Sequence, residues 1–243
     1  LDGTDGILNA LEIFHTGEND QLSYSRHLSK MSTILKFLAP GVDMYVVLEF
    51  SKCLDALYTK WHLNPKEEDA FESITGRPPE DYPTFSDLLA LIRDQMNHIT
   101  DLERNQDELL RLKQLDLILS DLVSNYGHIF DGQTSIPDIL NTQIVYFNIK
   151  NLAQMRPEIF DAQIFNAITL AWDNCVKIGE QMKRKYEDGE IAWEDITRFL
   201  LILDEAHKIV NANKMQAVEL LLVFAREARK FFGGLLLASQ SIR

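Results

Sequence analysis

Three short apolar runs in the second half of the chain, separated by helical patterns, constrain the fold more than any other feature. The runs are Ile144–Ile149, Phe199–Leu203 and Leu235–Ser239. An apolar run of this length between polar segments is typical of a strand buried on both faces. Strands that alternate with helices predict a parallel sheet with right-handed crossovers. The sequence therefore predicts an α/β region over residues 141–243, with functional side chains just past the carboxyl ends of its strands.

The residues before this region carry helical periodicity and no strand pattern, so we expect the chain to be predominantly helical overall. Thr84 followed by Asp87 predicts a capping box at the start of one helix. Tyr126-Gly127 is expected to break the last helix of the series. The helices predicted from spacing cover residues 23–38, 43–61, 85–96 and 106–123 in the first half, and 161–186 and 214–231 in the second. Asn64-Pro65 either ends the second helix or starts a short acidic helix over residues 66–74.

Charge is distributed unevenly along the chain. Residues 141–243 contain 13 basic and 13 acidic residues, so the whole net charge of −13 falls in residues 1–140. An acidic region of this kind disfavours a broad nucleic-acid-binding surface, which needs clustered Lys and Arg. Cys53 and Cys175 are interpreted as reduced core thiols. The start at Leu1, without an initiator Met, leads us to expect a piece of a longer polypeptide.

The strongest chemical signal is the pair Asp204-Glu205, which directly follows the second apolar run. A buried strand that ends in two carboxylates needs a reason, because burying unpaired charge is costly. At the carboxyl edge of a parallel sheet, Asp204 is suited to hold a hydrated Mg²⁺, and Glu205 to orient or deprotonate a water that attacks a γ-phosphate. The alternative is that the pair only begins a loop or caps the next helix.

Two further signals follow the acid pair. Gln240 comes at the end of the third run, where an amide is placed to report bound phosphates by hydrogen bonding. Arg226 and Arg229 fall near the end of the intervening helix and are candidates for an arginine presented to the nucleotide of a neighbouring subunit. Cations that complement a helix C-terminus are the simpler interpretation, and they account for Lys230.

The chain contains no Gly-x-x-x-x-Gly-Lys-Ser/Thr loop. Such a loop supplies the backbone amides and the lysine that cradle phosphates. We therefore expect this piece alone to be inactive, with the loop upstream of Leu1. The six histidines show no metal-ligand spacing.

Several segments resemble the large ATPases of conjugation and type IV secretion, the TraC-like members of the FtsK/HerA superclass. The segments are Arg198–His207, Phe224–Ser241, Ile129–Gly132 with Val145–Ile149, and Leu8–Ile13, in which Ala10 stands where the family usually has Pro. The resemblance implies a RecA-like core with an inserted all-α subdomain. Residues 1–14 would open the core, residues 15–140 would form the insertion, and residues 141–243 would carry the Walker B and sensor strands.

The resemblance also implies a function. It matches Asp204 and Glu205 to the Walker B pair, Gln240 to the sensor glutamine and Arg229 to the arginine before the third strand, whereas Ser239 departs from the common Thr. It implies ATP and Mg²⁺ as cofactors and a hexamer of identical subunits. It further implies contacts with channel components, an indirect relation to DNA, and a cytoplasmic location, peripheral at the inner face of the cell membrane.

Two other interpretations stay open at this stage. Asp-Glu-Ala-His over 204–207 is also a helicase motif, although a helicase would show a Ser-Ala-Thr-like segment where this chain has Ala-Ser-Gln. The chain is alternatively a helical docking module on a non-catalytic ATPase scaffold, with its acidic half facing basic partners.

Overall fold

The protein is described by a computed structural model that covers residues 1–4, 6–15, 19–99, 105–136, 139–210 and 215–239. It is mostly helical (61%) with a small parallel sheet, and so belongs to the α/β class. The elements are α1 (Asp20–Leu38), α2 (Met44–Lys60), α3 (Phe85–His98), α4 (Gln106–Phe130), α5 (Pro157–Glu187), β1 (Phe199–Leu203), α6 (Met215–Glu227) and β2 (Gly233–Leu237). Within the described ranges, no helix is both long enough and apolar enough to cross a membrane.

The chain divides into two compact units. The helical unit comprises residues 1–14, 20–137 and 146–162, and the sheet unit comprises residues 15–19, 138–145 and 163–243. The helical unit contains α1 to α4, and the sheet unit contains β1, α6 and β2. Residues 157–162 of α5 belong to the first unit and the rest of α5 to the second.

Helix α2 is the centre of the helical unit, since it packs against α1, α3 and α4. Apolar residues recur along α2 at spacings of three and four, which places Phe50, Leu54 and Leu57 on one buried face. The helices that pack against α2 also have buried apolar side chains, among them Met31, Leu35, Leu88, Ile92, Leu115 and Leu119. Sequence periodicity therefore predicted these helices well.

The opening segment is held to the helical unit by the buried side chain of Asn9. Its Nδ2 donates to the carbonyl oxygen of Pro83 (2.9 Å), and its Oδ1 accepts from the backbone N–H of Leu11 (2.9 Å). Both amide groups of a fully buried asparagine are thus satisfied, as the cost of burying them requires. Leu8 and Leu11 are fully buried beside it, so this short segment contributes to the core of the helical unit.

The predicted capping box is confirmed at the start of α3. The Thr84 hydroxyl accepts from the backbone N–H of Asp87, and the Asp87 carboxylate accepts from the backbone N–H of Thr84 (2.8 Å). Asp131, just after α4, accepts from both the backbone N–H (2.8 Å) and the hydroxyl (2.5 Å) of Ser86. These bonds satisfy donors that the first turn of a helix leaves open.

The structure has neither the predicted strand at residues 144–149 nor the alternative helix at residues 66–74. Ile144–Ile149 pairs with no strand of the described chain, and Ile144 and Tyr146 are more than 80% exposed. An apolar run becomes a buried strand only where neighbouring strands take up its backbone hydrogen bonds. Residues 66–74 form turns, because Asn64 accepts from the backbone N–H of Lys66 and diverts the chain. The predicted break at Tyr126 is confirmed, because its backbone (φ −128°, ψ 16°) is not helical and kinks α4 there; helical turns resume and reach Phe130.

The sheet unit has a small core on one face of its two-stranded sheet. Cys175 from α5 and Phe224 and Ala228 from the α6 region are buried there. Trp172, Phe199, Leu201, Phe231 and Leu235 pack against them. Cys53 and Cys175 are both free and buried, as the sequence predicted.

The opposite face of the sheet is apolar and exposed. Leu200 and Ile202 of β1 are each 57% exposed, and Leu236, opposite Ile202 in the register, is 48% exposed. Alternation along a strand places these side chains away from the core that α5 and α6 cover. The sheet of the described chain is thus packed on one side only.

Helix α5 and the chain at the start of β2 approach each other closely at two glycines, Gly179 of α5 and Gly233 of β2. A Cβ added to Gly179 would overlap the backbone and Cβ of Phe231, and a Cβ added to Gly233 would overlap Sγ of Cys175. Each glycine therefore allows a contact that a methyl group would prevent. Gly127 in α4 is a useful contrast, because a Cβ there would meet only the Cβ of Asp131, at an ordinary 3.7 Å.

We predict that Gly179→Ala lowers the stability of the sheet unit. Overpacking costs about 1–3 kcal/mol and exceeds the roughly 1 kcal/mol that alanine gains over glycine in a helix. Urea unfolding followed by circular dichroism measures the change. The matched control Gly127→Ala should leave stability unchanged or raise it by up to about 1 kcal/mol. Equal stability of Gly179→Ala and the unchanged chain would contradict the described approach of α5.

A buried hydrogen-bond network in the helical unit joins His27, Tyr58 and the backbone of Leu11. Its Nε2 lies 2.6 Å from the hydroxyl oxygen of Tyr58, and that hydroxyl donates to the carbonyl oxygen of Leu11 (3.0 Å). The single hydroxyl proton is used by Leu11, so Nε2 of His27 carries a proton and donates to Tyr58. Burial lowers the pKa of His27 well below its ordinary value of 6.5, and the positive charge of Lys30 lowers it further.

This network predicts a loss of stability in mild acid. With the folded-state pKa of His27 depressed, the unfolded chain binds more protons below about pH 6.5, so stability is full above that pH and falls as the pH drops. The loss is about 1.4 kcal/mol per pH unit. Urea titrations at pH 7, 6 and 5 measure it.

The variant His27→Gln keeps a side-chain N–H for Tyr58 but does not titrate, so its stability should change less over this range. The control is His98→Gln, since the side chain of His98 is 77% exposed. If His27→Gln and the unchanged chain lose stability in parallel, His27 is not the group responsible.

Candidate functional site

The acid pair lies where the paired strands end. The parallel ladder of β1 and β2 continues past both strands, because the backbone N–H of Ala238 donates to the carbonyl of Leu203 (2.9 Å) and that of Ala206 donates to the carbonyl of Ala238 (2.8 Å). Asp204 and Glu205 occupy the turn between these two bonds. The structure therefore brings the acid pair beside the exit of β2, at the carboxyl edge where ligands bind in parallel sheets.

The turn at the acid pair requires an unusual backbone conformation. Glu205 adopts the left-handed region, with φ 54° and ψ 39°. This conformation costs a non-glycine residue about 1–2 kcal/mol. The ladder bond at Ala206 holds it, and the backbone N–H of Glu205 donates to Oδ1 of Asp204 (2.9 Å). Strained backbone that neighbouring bonds maintain is found most often at functional sites.

The two carboxylates differ in their surroundings. Asp204 is exposed, and its Oδ2 has no hydrogen-bond partner in the part of the chain that the structure describes. The side chain of Glu205 is only 27% exposed and lies beside His207, with Oε2 at 3.2 Å from the ring Nδ1. Asp204 is thus the carboxylate that faces solvent, and Glu205 is the one that the protein holds in place.

His207 also reaches the end of the neighbouring strand. Its Nδ1 lies 3.2 Å from the hydroxyl oxygen of Ser239. Spacing rules overlooked this residue, because they examine histidines as sets of metal ligands. One feature of the sequence could have identified His207. It follows Asp204 by three residues, on the short turn that brings the chain back toward β2.

The remaining predicted site residues are placed differently. Gln240 lies outside the described residues. Arg226 and Arg229 are exposed, and neither guanidinium forms a hydrogen bond or ion pair within the described ranges, whereas Lys230 pairs with Glu227. The α6 region leads into the amino end of β2, opposite the edge that carries the acid pair. The five residues of β2 separate the two ends by about 16 Å, so the structure does not bring these arginines to the acid pair of the same chain.

The residues present fit a hydrated Mg²⁺ better than a protein-enclosed metal. The described residues contain no group of three or more His, Cys, Asp or Glu able to hold a metal ion. Mg²⁺ commonly keeps several waters and uses one or two carboxylates together with phosphate oxygens. The open Oδ2 of Asp204 suits that mode of binding.

Comparison with known proteins finds similarity to a curated relative and to solved structures. No protein-family model matches the chain. An uncharacterized protein of Bacillus anthracis is 34% identical, over an alignment that covers 97% of this chain and 37% of that protein. VirB4 of Thermoanaerobacter pseudethanolicus is 16% identical and superimposes with a TM-score of 0.71, over 97% of this chain and 54% of that one.

The comparisons show which fold the chain has and how much of each matched protein it spans. Nearly the whole chain shares the fold of the matched part of VirB4. The chain spans about a third of the curated relative and about half of VirB4.

Proposed function

We propose that this chain is part of an ATPase of type IV secretion or conjugation, and that it carries the Walker B half of the nucleotide site. The observation that carries the proposal is the acid pair at the carboxyl edge of a parallel sheet, in a chain with the fold of VirB4. The sequence resemblance to conjugation and type IV secretion ATPases, which includes segments outside the acid pair, supports the same function.

The proposal assigns a part to each region. The sheet unit would belong to a RecA-like core, and the four helices α1 to α4 to an all-α subdomain inserted in it. The phosphate-binding loop would come from a part of a longer protein outside residues 1–243, which is consistent with the length of both matched proteins. This chain alone would not hydrolyse ATP. The longer protein would assemble as a hexamer with channel components, act on DNA indirectly, and lie in the cytoplasm at the inner face of the membrane.

The chemistry follows from the positions of the side chains. ATP with Mg²⁺ would supply the γ-phosphate and neutralise its charge. Asp204 would hold the hydrated ion through its open oxygen, and Glu205 would orient or deprotonate the attacking water. Gln240, which follows Ser239 directly, would contact the phosphates as a sensor.

The helicase and the docking module are the competing functions. The fold of VirB4 favours the secretion ATPase over a helicase, and so does Ala-Ser-Gln at the exit of β2. A non-catalytic scaffold has no need of a strained, hydrogen-bonded glutamate beside an open aspartate.

We predict that Glu205→Gln in the longer protein lowers ATP hydrolysis at least 100-fold, since a positioned base contributes roughly 10²–10⁴-fold. ATP binding should stay nearly unchanged, because glutamine keeps the shape of the side chain. Phosphate release and fluorescent-nucleotide titration measure the two quantities. Glu190→Gln, an exposed site in the same unit, is the control and should keep full activity. Unchanged turnover in Glu205→Gln would refute the proposed function.

A second prediction concerns the arginines. Since Arg226 and Arg229 lie at the far edge of the sheet, we expect one of them to act on the nucleotide of a neighbouring subunit. Substituting that arginine by alanine should lower turnover about 10³-fold, whereas Lys230→Ala should not. Mixing the inactive arginine variant with Glu205→Gln should restore part of the activity, because some sites then combine an intact glutamate with an intact arginine. Failure of every such mixture would exclude action between subunits.

A further inference from the structure

One side chain connects the two strand ends of the candidate site. Nδ1 of His207 lies 3.2 Å from Oε2 of Glu205 and 3.2 Å from Oγ of Ser239. Glu205 follows β1 and Ser239 follows β2. A single ring nitrogen therefore lies within hydrogen-bond reach of oxygens at the exits of both strands.

The two contacts of Nδ1 differ in kind. With Ser239 the ring nitrogen forms a hydrogen bond, whereas Oε2 of Glu205 lies at ion-pair distance without hydrogen-bond geometry. A carboxylate oxygen that faces a ring nitrogen attracts an N–H and repels a bare lone pair, so Nδ1 carries the proton and donates it to Oγ of Ser239. The positive end of this N–H then attracts the carboxylate of Glu205.

The backbone on both sides of His207 is held by burial and by hydrogen bonds, which keeps the side chain of His207 beside Glu205. Ala206 and Ile209 on either side are buried, at 5% and 3% exposure. The backbone N–H of Val210 donates to the carbonyl of Ala206 (2.7 Å), and the N–H of Ala206 itself is held by β2. The side chain of His207 is 45% exposed. It therefore covers the outer side of the more buried Glu205.

We propose that His207 is the positioning residue for Glu205, and that it couples the orientation of this carboxylate to the exit of β2 through Ser239. The inference rests on the proposed function, because it assigns the partner that orients the glutamate in hydrolysis. With Oε2 held by His207, the glutamate presents its other oxygen to the attacking water. A displacement of Ser239 then moves its hydrogen-bond partner His207 and so alters the contact that orients Glu205.

The test uses substitutions at position 207 in the longer protein, with the kcat and KM of ATP hydrolysis measured separately. Asparagine places an N–H donor where histidine has Nδ1, glutamine places it where histidine has Nε2, and leucine has none. We expect His207→Leu and His207→Gln to lower kcat roughly 10- to 100-fold with KM unchanged, as misplacement of a reacting group does. His207→Asn should recover most of kcat.

Ser239 supplies a second, milder measurement. Ser239→Ala should lower kcat less than His207→Leu, and it should have no further effect in the His207→Leu background, because coupled residues are not additive. This arm also keeps the test valid if His207→Leu fails to fold. The matched control is His98→Leu, an exposed histidine of α3, which should keep full activity.

The outcomes separate this inference from the proposed function. If Glu205→Gln abolishes turnover but His207→Leu keeps it, the inference is wrong and the proposed function stands. The inference is also overturned if glutamine restores kcat as well as asparagine does, or if only KM changes. If Glu205→Gln itself retains turnover, the proposed function fails first.

Discussion

The parallel pairing of β1 with β2 is the constraint on which the candidate site depends. Its hydrogen bonds continue past the strands to Ala206 and Ala238. That extension bends the chain at Glu205 into a left-handed turn and brings His207 back toward Ser239. The pairing in turn depends on α5, which lies close beneath the sheet only because Gly179 and Gly233 carry no side chain. A packing requirement in the core thus determines the geometry of the acid pair.

The sequence predicted most of the fold where the signal was local. Periodicity and capping placed the long helices, and the apolar run before the acid pair located β1 with its observed ends, Phe199 and Leu203. Prediction failed where structure depends on a neighbour. Ile144–Ile149 has the composition of a buried strand, but no described strand takes up its hydrogen bonds. Its side chains alternate in exposure along Val145 to Ile149, as in a strand, without forming one.

In the candidate site, too, the local sequence features were predicted and the contacts between distant residues were not. Asp204 and Glu205 were identified from sequence because two carboxylates after an apolar run are rare without a purpose. The contact of Glu205 with His207 depends on a positive φ angle and on a hydrogen bond to another strand, and neither follows from spacing. For the arginines, the sequence suggested more than the structure shows within one chain. Their position in the sequence suggested a role at the site, but the sheet places them away from the acid pair of their own chain.

The exposed apolar face of the sheet affects how the results of a mutational scan should be interpreted. Leu200, Ile202 and Leu236 are about half exposed in this chain, so polar replacements there cost the isolated polypeptide less than replacements in the core. A mutational scan scored by folding of residues 1–243 alone would class these positions as permissive. A scan scored by activity of a longer protein would class them as restricted if another layer covers them. The difference between the two scans, position by position, would map the footprint of that layer.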